Sequence, residues 1–206
     1  MNVSEAIDIL TEAELKQLAV KSDKNAVIGF INLGILELHK RFELLEDYAE
    51  VTIADAVTTY TLDGSDPNVS IDLSDKQLVL VSRITDMDNV SLFDTTLPKS
   101  EKVKLPSYNK LILKDLTAGD VLDVTFRAAP KFLVHEKEEI PLPPQFFEAL
   151  FNYVGYRGHS SVKGDIKSEN NTHYQRFEKS CGNIEGHDLG VYENLESDKF
   201  SERGFF

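Results

Sequence analysis

The chain has 206 residues, of which 35 are Asp or Glu, 22 are Lys or Arg and one is Cys, so its formal net charge is −13. A single cysteine excludes an internal disulfide framework and a cysteine-based zinc cluster. No segment reaches the roughly 20 consecutive apolar residues of a membrane span, and the acidic N-terminus lacks the basic start of a secretory signal, so we expect synthesis and residence in a reducing cytoplasm.

The N-terminal part of the chain predicts two helices. Thr11 and Glu14 have the T-x-x-E spacing of a capping box, so the first helix is predicted to begin at Thr11. Ser22 or Asp23 is placed to cap a second helix. Its apolar residues recur every three or four positions, at Val27, Phe30, Ile31, Gly34, Ile35, Leu38 and Phe42. Further apolar residues outside this stripe predict a helix buried on more than one side.

The middle of the chain, from about Tyr48 to His135, changes to an apolar period of two. This pattern predicts six or seven strands, about enough for a small sandwich or barrel. The continuous apolar run Leu78–Val81 predicts a strand that is covered on both faces. Leu111–Leu113 and Val121–Phe126 are predicted to pair through the turn Thr117–Asp120.

The C-terminal part predicts two more helices. Pro144 suits the first turn of the third helix, which is expected to pack on the second helix through Phe147, Leu150, Phe151 and Val154. The fourth helix carries Tyr174, Phe177, Cys181 and Ile184 at helical spacing. Gly182 and Gly186 are expected to mark its end.

The last segment, residues 187–206, has no clear period and predicts an extended tail. Its large apolar side chains are unfavourable in water, and their spacing suits an extended segment that places them in successive pockets of a partner. The predicted partner-binding residues are Tyr192, Leu195, Phe200, Phe205 and Phe206.

Together these patterns predict an α+β fold. An antiparallel helical bundle is built from both chain ends, an antiparallel β-sandwich or barrel-like lobe is inserted into it, and a C-terminal tail extends from it. The predicted parts are residues 1–47 and 140–186 for the bundle, 48–139 for the β lobe and 187–206 for the tail.

The sequence contains few residues that are candidates for catalysis or metal binding. His159 and His173 lie in neighbouring predicted helices, where a polar helix–helix contact is favoured over a metal site. The acidic pairs are interpreted as solvated charge, and Asp86–Asn89 as a loop between strands. Cys181 on an apolar face is interpreted as a core residue. The sequence therefore predicts no catalytic residue, no cofactor and no metal.

Three segments carry a resemblance to a known family. The first is the helix Asn25–Phe42, and the third is Asn171–Glu178. The second, Ile140–Arg157, is similar to a family pattern I-x-L-P-x-x-(F/Y)-x-x-A-L-x-x-Y-V-x-Y-R that begins the third helix. In this order, around a β insertion, they resemble the head-to-tail adaptor proteins of tailed bacteriophages, especially those of short-tailed phages.

The resemblance implies a helical bundle with a β insertion, assembled as a ring of twelve copies beneath the portal protein. Viral DNA would pass through the centre without sequence-specific binding. The C-terminal extension would dock on the portal, and the opposite face would receive tail or nozzle proteins. The protein would then reside in the virion neck between capsid and tail. The β region is larger than in the shortest members, which leaves its role open.

Alternative functions remain open at this point. One is another phage component, such as a tail-completion or baseplate subunit. A second is a carboxylate-dependent glycan hydrolase, because acidic pairs are abundant. A third is a β-sandwich binding module with helical flanks.

The net charge generates the first prediction. The isolated protein is expected not to bind duplex DNA tightly at physiological salt, because binding to phosphates requires clustered Lys and Arg. Fluorescence anisotropy of a labelled duplex measures this directly. Tight binding that weakens steeply with added salt would contradict the prediction.

Overall fold

The computed structural model describes residues 1–95, 102–163 and 172–196, with the backbone alone for residues 20–21, 162–163 and 187–196. Within these residues the chain is mixed α+β, with four α-helices and two antiparallel sheets that do not form a closed barrel. The helices are α1 (Val3–Glu12), α2 (Lys24–Arg41), α3 (Phe147–Lys163) and α4 (Thr172–Glu196). The strands are β1 (Glu46–Thr52), β2 (Thr59–Thr61), β3 (Val69–Ser70), β4 (Lys76–Asp86), β5 (Ser91–Asp94), β6 (Val103–Ser107), β7 (Lys110–Leu113) and β8 (Val121–Pro130).

Helix α1 begins earlier than the sequence predicted. Its capping box is formed by Asn2, whose side chain accepts a hydrogen bond from the Glu5 amide at 2.8 Å, and by the Glu5 carboxylate, which accepts from the Asn2 amide at 3.0 Å. The predicted start at Thr11 is wrong. The Thr11 hydroxyl donates to the carbonyl of Asp8 at 3.0 Å, so Thr11 belongs to the last turn of α1.

Helix α2 follows the prediction closely. The Asp23 carboxylate accepts from the Ala26 amide at 3.1 Å, which confirms Asp23 as a capping residue. The stripe predicted to be buried includes Val27, Ile31 and Ile35, and all three are buried. Asn32 is also buried, and its side chain donates to the carbonyl of Leu133 and accepts from the Leu133 amide at 2.9 and 2.8 Å. This pair of bonds satisfies the backbone where the chain returns from the β region.

The strands form a five-stranded sheet in the order β3-β1-β8-β4-β5 and a three-stranded sheet in the order β2-β7-β6. Side chains from both sheets belong to one buried apolar cluster, in which Tyr60, Leu111, Ile84, Leu122 and Phe126 are fully buried. Every member of this cluster lies between Ala49 and Ala128 in the sequence. The β region therefore has a hydrophobic core of its own.

Three predictions about the strands are wrong. Strands β7 and β8 do not pair with each other, because β7 pairs with β2 and β6 while β8 pairs with β1 and β4. The turn between them instead bonds to the end of β1, since the Gly119 amide donates to the Ile53 carbonyl at 2.8 Å. Strand β4 is not covered on both faces, because Leu80 remains 41% exposed. The described residues contain eight strands, more than predicted, since β3 and β5 are short edge strands.

Helix α3 is preceded by a short 3₁₀ turn, Pro144–Phe146, that places Pro144 at its start as predicted. On the predicted face of α3, Leu150 and Val154 are fully buried, and Phe147 and Phe151 are partly buried. A methyl group added at Gly34 of α2 would lie 2.6 Å from Leu150 Cδ1 and 3.2 Å from Tyr153 Cδ1. The two helices therefore approach closely where Gly34 has no side chain.

Helix α4 buries Phe177, Cys181 and Ile184, as predicted. It continues through Gly182 and Gly186 to Glu196, so the predicted end of the helix at these glycines is wrong, and residues 187–196 are helical rather than extended. Glycine within a helix costs only about 1 kcal/mol. Without a following proline, this penalty does not end the helix.

The chain divides into two compact units. One comprises Met1–Ile35 with the residues from Leu133 onward, and the other comprises Leu36–Phe132. The predicted boundaries were after residues 47 and 139. In the structure the two units divide after Ile35, within α2, and after Phe132. We call the two parts the terminal unit and the β unit.

The contact at Gly34 generates a prediction for stability. Leu150→Ala is expected to reduce the free energy of unfolding by about 2–5 kcal/mol, because it removes a fully buried side chain and leaves a cavity. Urea denaturation followed by circular dichroism measures the loss. The matched control is Glu148→Ala, an exposed position on the same helix, where the change should stay within about 0.5 kcal/mol. An equally small loss for Leu150→Ala would contradict its place in the core.

Candidate functional site

The residues predicted to bind a partner fall at the C-terminal end of the chain. Tyr192 and Leu195 lie in the last turns of α4, where the backbone alone is described. Phe200, Phe205 and Phe206 lie outside the described residues. The structure therefore places the first two on a helix, and their role in binding a partner stays a prediction.

The predicted meeting of His159 and His173 is confirmed. The two imidazoles, from α3 and α4, stack with ring centroids 4.7 Å apart and an angle of 18° between their planes. His159 Nε2 lies 3.1 Å from the carbonyl oxygen of Glu14, which accepts only, so Nε2 is the donor. The histidine pair thus connects three segments of the terminal unit.

The histidines end a series of ring contacts between α3 and α4. Tyr153 packs edge-on against Phe177 with centroids 5.2 Å apart, and Tyr156 packs edge-on against Tyr174 at 5.1 Å. Tyr153, Tyr156 and His159 are spaced three residues apart, so they follow one side of α3. We call the following six residues the aromatic ladder: Tyr153, Tyr156, His159, His173, Tyr174 and Phe177.

Gly155 allows the ladder to close at its histidine end. A methyl group added there would lie 2.8 Å from His173 Nδ1 and 3.2 Å from the Glu14 side chain. Gly155 therefore leaves room for the side chains of His173 and Glu14.

The electrostatic surroundings of His173 disfavour its protonated form. Burial lowers the pKa of His173, the neighbouring His159 and Arg176 lower this pKa further, and Glu14 acts in the opposite direction. His173 is also the second residue of α4, where the positive end of the helix dipole opposes a cation.

A groove of about 430 Å³ lies beside the ladder in the terminal unit. Its lining includes Glu14, Phe151, Asn152, Arg176, Lys179 and Ser180. Asn152 and Ser180 are buried to more than nine-tenths, and Asn152 Nδ2 donates to the Glu148 carbonyl at 3.0 Å. Arg176 and Lys179 are exposed, and neither has an ion-pair partner within the described part of the chain. We call this feature the polar groove.

The sequence did not predict the polar groove. Arg176 and Lys179 are visible as a basic pair three residues apart on one helix. The burial of Asn152 and Ser180 depends on how α3 packs on α4, which no local pattern specifies.

Several acidic residues that invite a catalytic interpretation have structural partners. Asp47 forms an ion pair with Lys76, and the Glu138 carboxylate accepts from the amides of Val134 and His135 at 3.2 and 3.1 Å. Asp86 Oδ1 accepts from the amides of Asp88 and Val90 at 3.0 and 2.9 Å, so Asp86–Asn89 is a turn between β4 and β5, as predicted. Cys181 is fully buried, which confirms it as a core residue. Within the described ranges, no group of three potential ligands is arranged to hold a metal.

The histidine pair generates a prediction of pH-dependent stability. Because the pKa of folded His173 lies below its ordinary value, the unfolded chain binds more protons as the pH falls through about 6.5. The free energy of unfolding should therefore be larger near pH 7.5 and should decrease toward pH 5.5. In His173→Gln this decrease should be smaller, as measured by urea denaturation at both pH values.

The matched control is His135→Gln, since His135 is exposed in the same unit. This variant should keep the pH dependence of the original protein. The Asp47–Lys76 pair does not interfere, because its hydrogen bond lowers the pKa of Asp47 below the ordinary carboxyl range and its effect appears only at more acidic pH. An unchanged pH dependence in His173→Gln would contradict the role of the pair.

Comparisons with known proteins do not assign the chain to a family. No protein-family model matches the chain, and no curated protein matches it significantly. Among the described residues, no helix has both the length and the apolar character that a membrane span requires.

Proposed function

We propose that the chain is a structural subunit of a phage head-to-tail adaptor ring. In this role it docks beneath the portal protein, extends the DNA channel and provides the surface to which tail or nozzle proteins attach. The site of action is the virion neck between capsid and tail, reached after synthesis in the host cytoplasm.

The observation that carries the proposal is the arrangement of the two units along the chain. Segments from both chain ends form one compact helical unit, and the residues between them form a unit with a separate apolar core. This is the organisation implied by the resemblance to adaptor proteins. In finer detail, we propose that the four helices act as an antiparallel bundle and that the two sheets form a sandwich-like or barrel-like lobe.

The segments that resemble adaptor proteins coincide with helices. Asn25–Phe42 covers nearly all of α2, Ile140–Arg157 includes the 3₁₀ turn and the first half of α3, and Asn171–Glu178 covers the start of α4. The conspicuous residues of these segments have packing roles: Leu150 contacts α2 at Gly34, and Tyr153 and Phe177 contact each other in the ladder. Their spacing is thus explained by helix packing, which supports a shared architecture.

The charge of the chain suits a channel wall. A surface that lets DNA move past it benefits from repelling phosphates, and the net charge of −13 provides that repulsion on average. The helical C-terminal segment and the residues after Glu196 are proposed to dock on the portal through Tyr192, Leu195, Phe200, Phe205 and Phe206. Aromatic anchors of this kind supply much of the binding energy in protein interfaces.

The experiment mixes the purified protein with the portal protein of the same phage and images the mixture by negative-stain electron microscopy. The proposal predicts rings stacked coaxially on the portal. Deleting residues 193–206 should abolish this stacking while leaving the melting temperature nearly unchanged, because the core residues of the terminal unit whose side chains the structure describes end at Ile184.

The matched control replaces Lys199 and Arg203 by Ala, which retains every aromatic residue of the segment. This variant should still form rings on the portal. Normal assembly of the truncated protein would contradict the docking role of the segment. A protein that never associates with the portal and hydrolyses glycans would contradict the adaptor proposal itself.

A further inference from the structure

The histidine pair lies where one helix ends and the next begins. His159 is near the end of α3, which stops at Lys163, and His173 is the second residue of α4. Their ring centroids are 4.7 Å apart. Two neutral imidazoles can stack at this distance, whereas two imidazolium cations repel each other. The contact between the end of α3 and the start of α4 therefore depends on the charge of the two rings.

The ring of His159 is held in place by a hydrogen bond that does not depend on pH. Its Nε2 donates to the carbonyl oxygen of Glu14 at 3.1 Å. A neutral imidazole that already donates from Nε2 takes up its second proton at Nδ1, so this bond persists in the charged form. Repulsion between two charged rings is therefore relieved by movement of His173 rather than of His159.

The ring of His173 has no space in which to move closer to α3. A methyl group added at Gly155 would lie 2.8 Å from His173 Nδ1 and 3.2 Å from the side chain of Glu14, so these neighbours fill the space beside Gly155. Packed interiors yield little without movement of their neighbours. Displacement of His173 thus moves the first turn of α4 away from α3.

The charged groups that act on His173 come from three elements. Burial lowers the pKa of His173, and His159 of α3 lowers this pKa further. On α4, Arg176 acts in the same direction, whereas Glu14, in the segment after α1, raises the pKa. Histidine is the side chain whose ordinary pKa lies between neutral and mildly acidic pH, so acidification adds positive charge at the stack.

The next contacts along α4 are aromatic and do not gain charge in mild acid. Tyr174 packs edge-on against Tyr156 with ring centroids 5.1 Å apart. Phe177 is buried, and its ring centroid lies 5.2 Å from that of Tyr153. An opening that begins at His173 is therefore expected to stop at Phe177.

We propose that the histidine pair is a pH switch that releases the start of α4 from α3. Below about pH 6 both rings become charged, the first turn of α4 separates from α3, and the helix stays packed from Phe177 onward. This is a local opening within a folded protein, which differs from the change in the free energy of global unfolding predicted above. It depends on this chain alone and does not rest on the adaptor function.

The test is hydrogen–deuterium exchange of the full chain, measured by mass spectrometry near pH 7.5 and near pH 5.5. Labelling times are scaled for the intrinsic effect of pH on exchange. Peptides that cover residues 172–177 should exchange about threefold faster or more at the lower pH, because repulsion opens their hydrogen bonds. Peptides that cover residues 147–154 of α3, which include the buried Leu150, should not change.

Two variants test the origin of the effect. His159→Gln and His173→Gln each leave one titrating ring, so the acid-induced increase in exchange should be lost in both. The matched control is His135→Gln, an exposed histidine in the same unit, which should keep the increase. Circular dichroism near pH 7.5 checks that each variant is folded.

A second measurement needs no substitution. In the original protein, nuclear Overhauser contacts between the rings of His159 and His173 should be present near pH 7.5 and lost near pH 5.5. Those between Tyr153 and Phe177 should persist at both pH values. The proposal is overturned if the histidine contacts persist in acid, if exchange rises equally in α3 and α4, or if folded His173→Gln still opens.

Discussion

Close packing of side chains against two glycines determines how the helices of the terminal unit fit together. At Gly34 an added methyl group would meet Leu150, and at Gly155 it would meet His173 and Glu14. Interiors are packed as densely as organic crystals, so neither position has room for a side chain without movement of its neighbours. These contacts connect α2 to α3, and α3 to both α4 and the segment after α1. Segments from the beginning and the end of the sequence therefore share one core.

This shared core explains how a large β region is accommodated in the middle of the chain. Asn32 fixes the backbone at Leu133, where the chain re-enters the terminal unit. The β unit supplies its own apolar cluster, whose members all lie between Ala49 and Ala128. The two units differ in character, since one is built of helices and the other mainly of strands and turns.

Charged side chains also contribute to the local structure of the β unit. Many carboxylates stabilise turns of the β unit, as Asp63, Asp72 and Asp86 do through backbone amides. Local bonds of this kind hold short connections in a single shape. Arg176 and Lys179 line the polar groove together with Glu14 and Glu148, near His173, whose protonation is disfavoured.

The sequence predicted the features that depend on local periodicity. The stripe of α2, the buried face of α3, the core position of Cys181 and the meeting of His159 with His173 follow from helical spacing. The predictions were wrong where a structure depends on residues that are far apart in the sequence. They were also wrong where two sequence motifs could each start the same helix. Asn2 and Glu5 form the capping box that was assigned to Thr11 and Glu14, although both pairs have suitable chemistry.

Non-local pairing accounts for the remaining differences. The residues before β8 have the composition of a hairpin turn, yet the Gly119 amide donates a hydrogen bond to the Ile53 carbonyl. Strand β8 pairs with β1 and β4, which are distant in the sequence. The polar groove was beyond prediction for the same reason, since it exists only after α3 and α4 have packed. Gly182 and Gly186 show the reverse case, in which a strong local signal did not end the helix.

The central claim is that this chain is an assembly subunit of the phage neck, and a cryo-electron microscopy reconstruction of the intact particle tests it most directly. The claim predicts a closed ring of copies of this chain between portal and tail, with the DNA path through its centre. Absence of the chain from the neck, or its presence as isolated copies elsewhere in the particle, would contradict it.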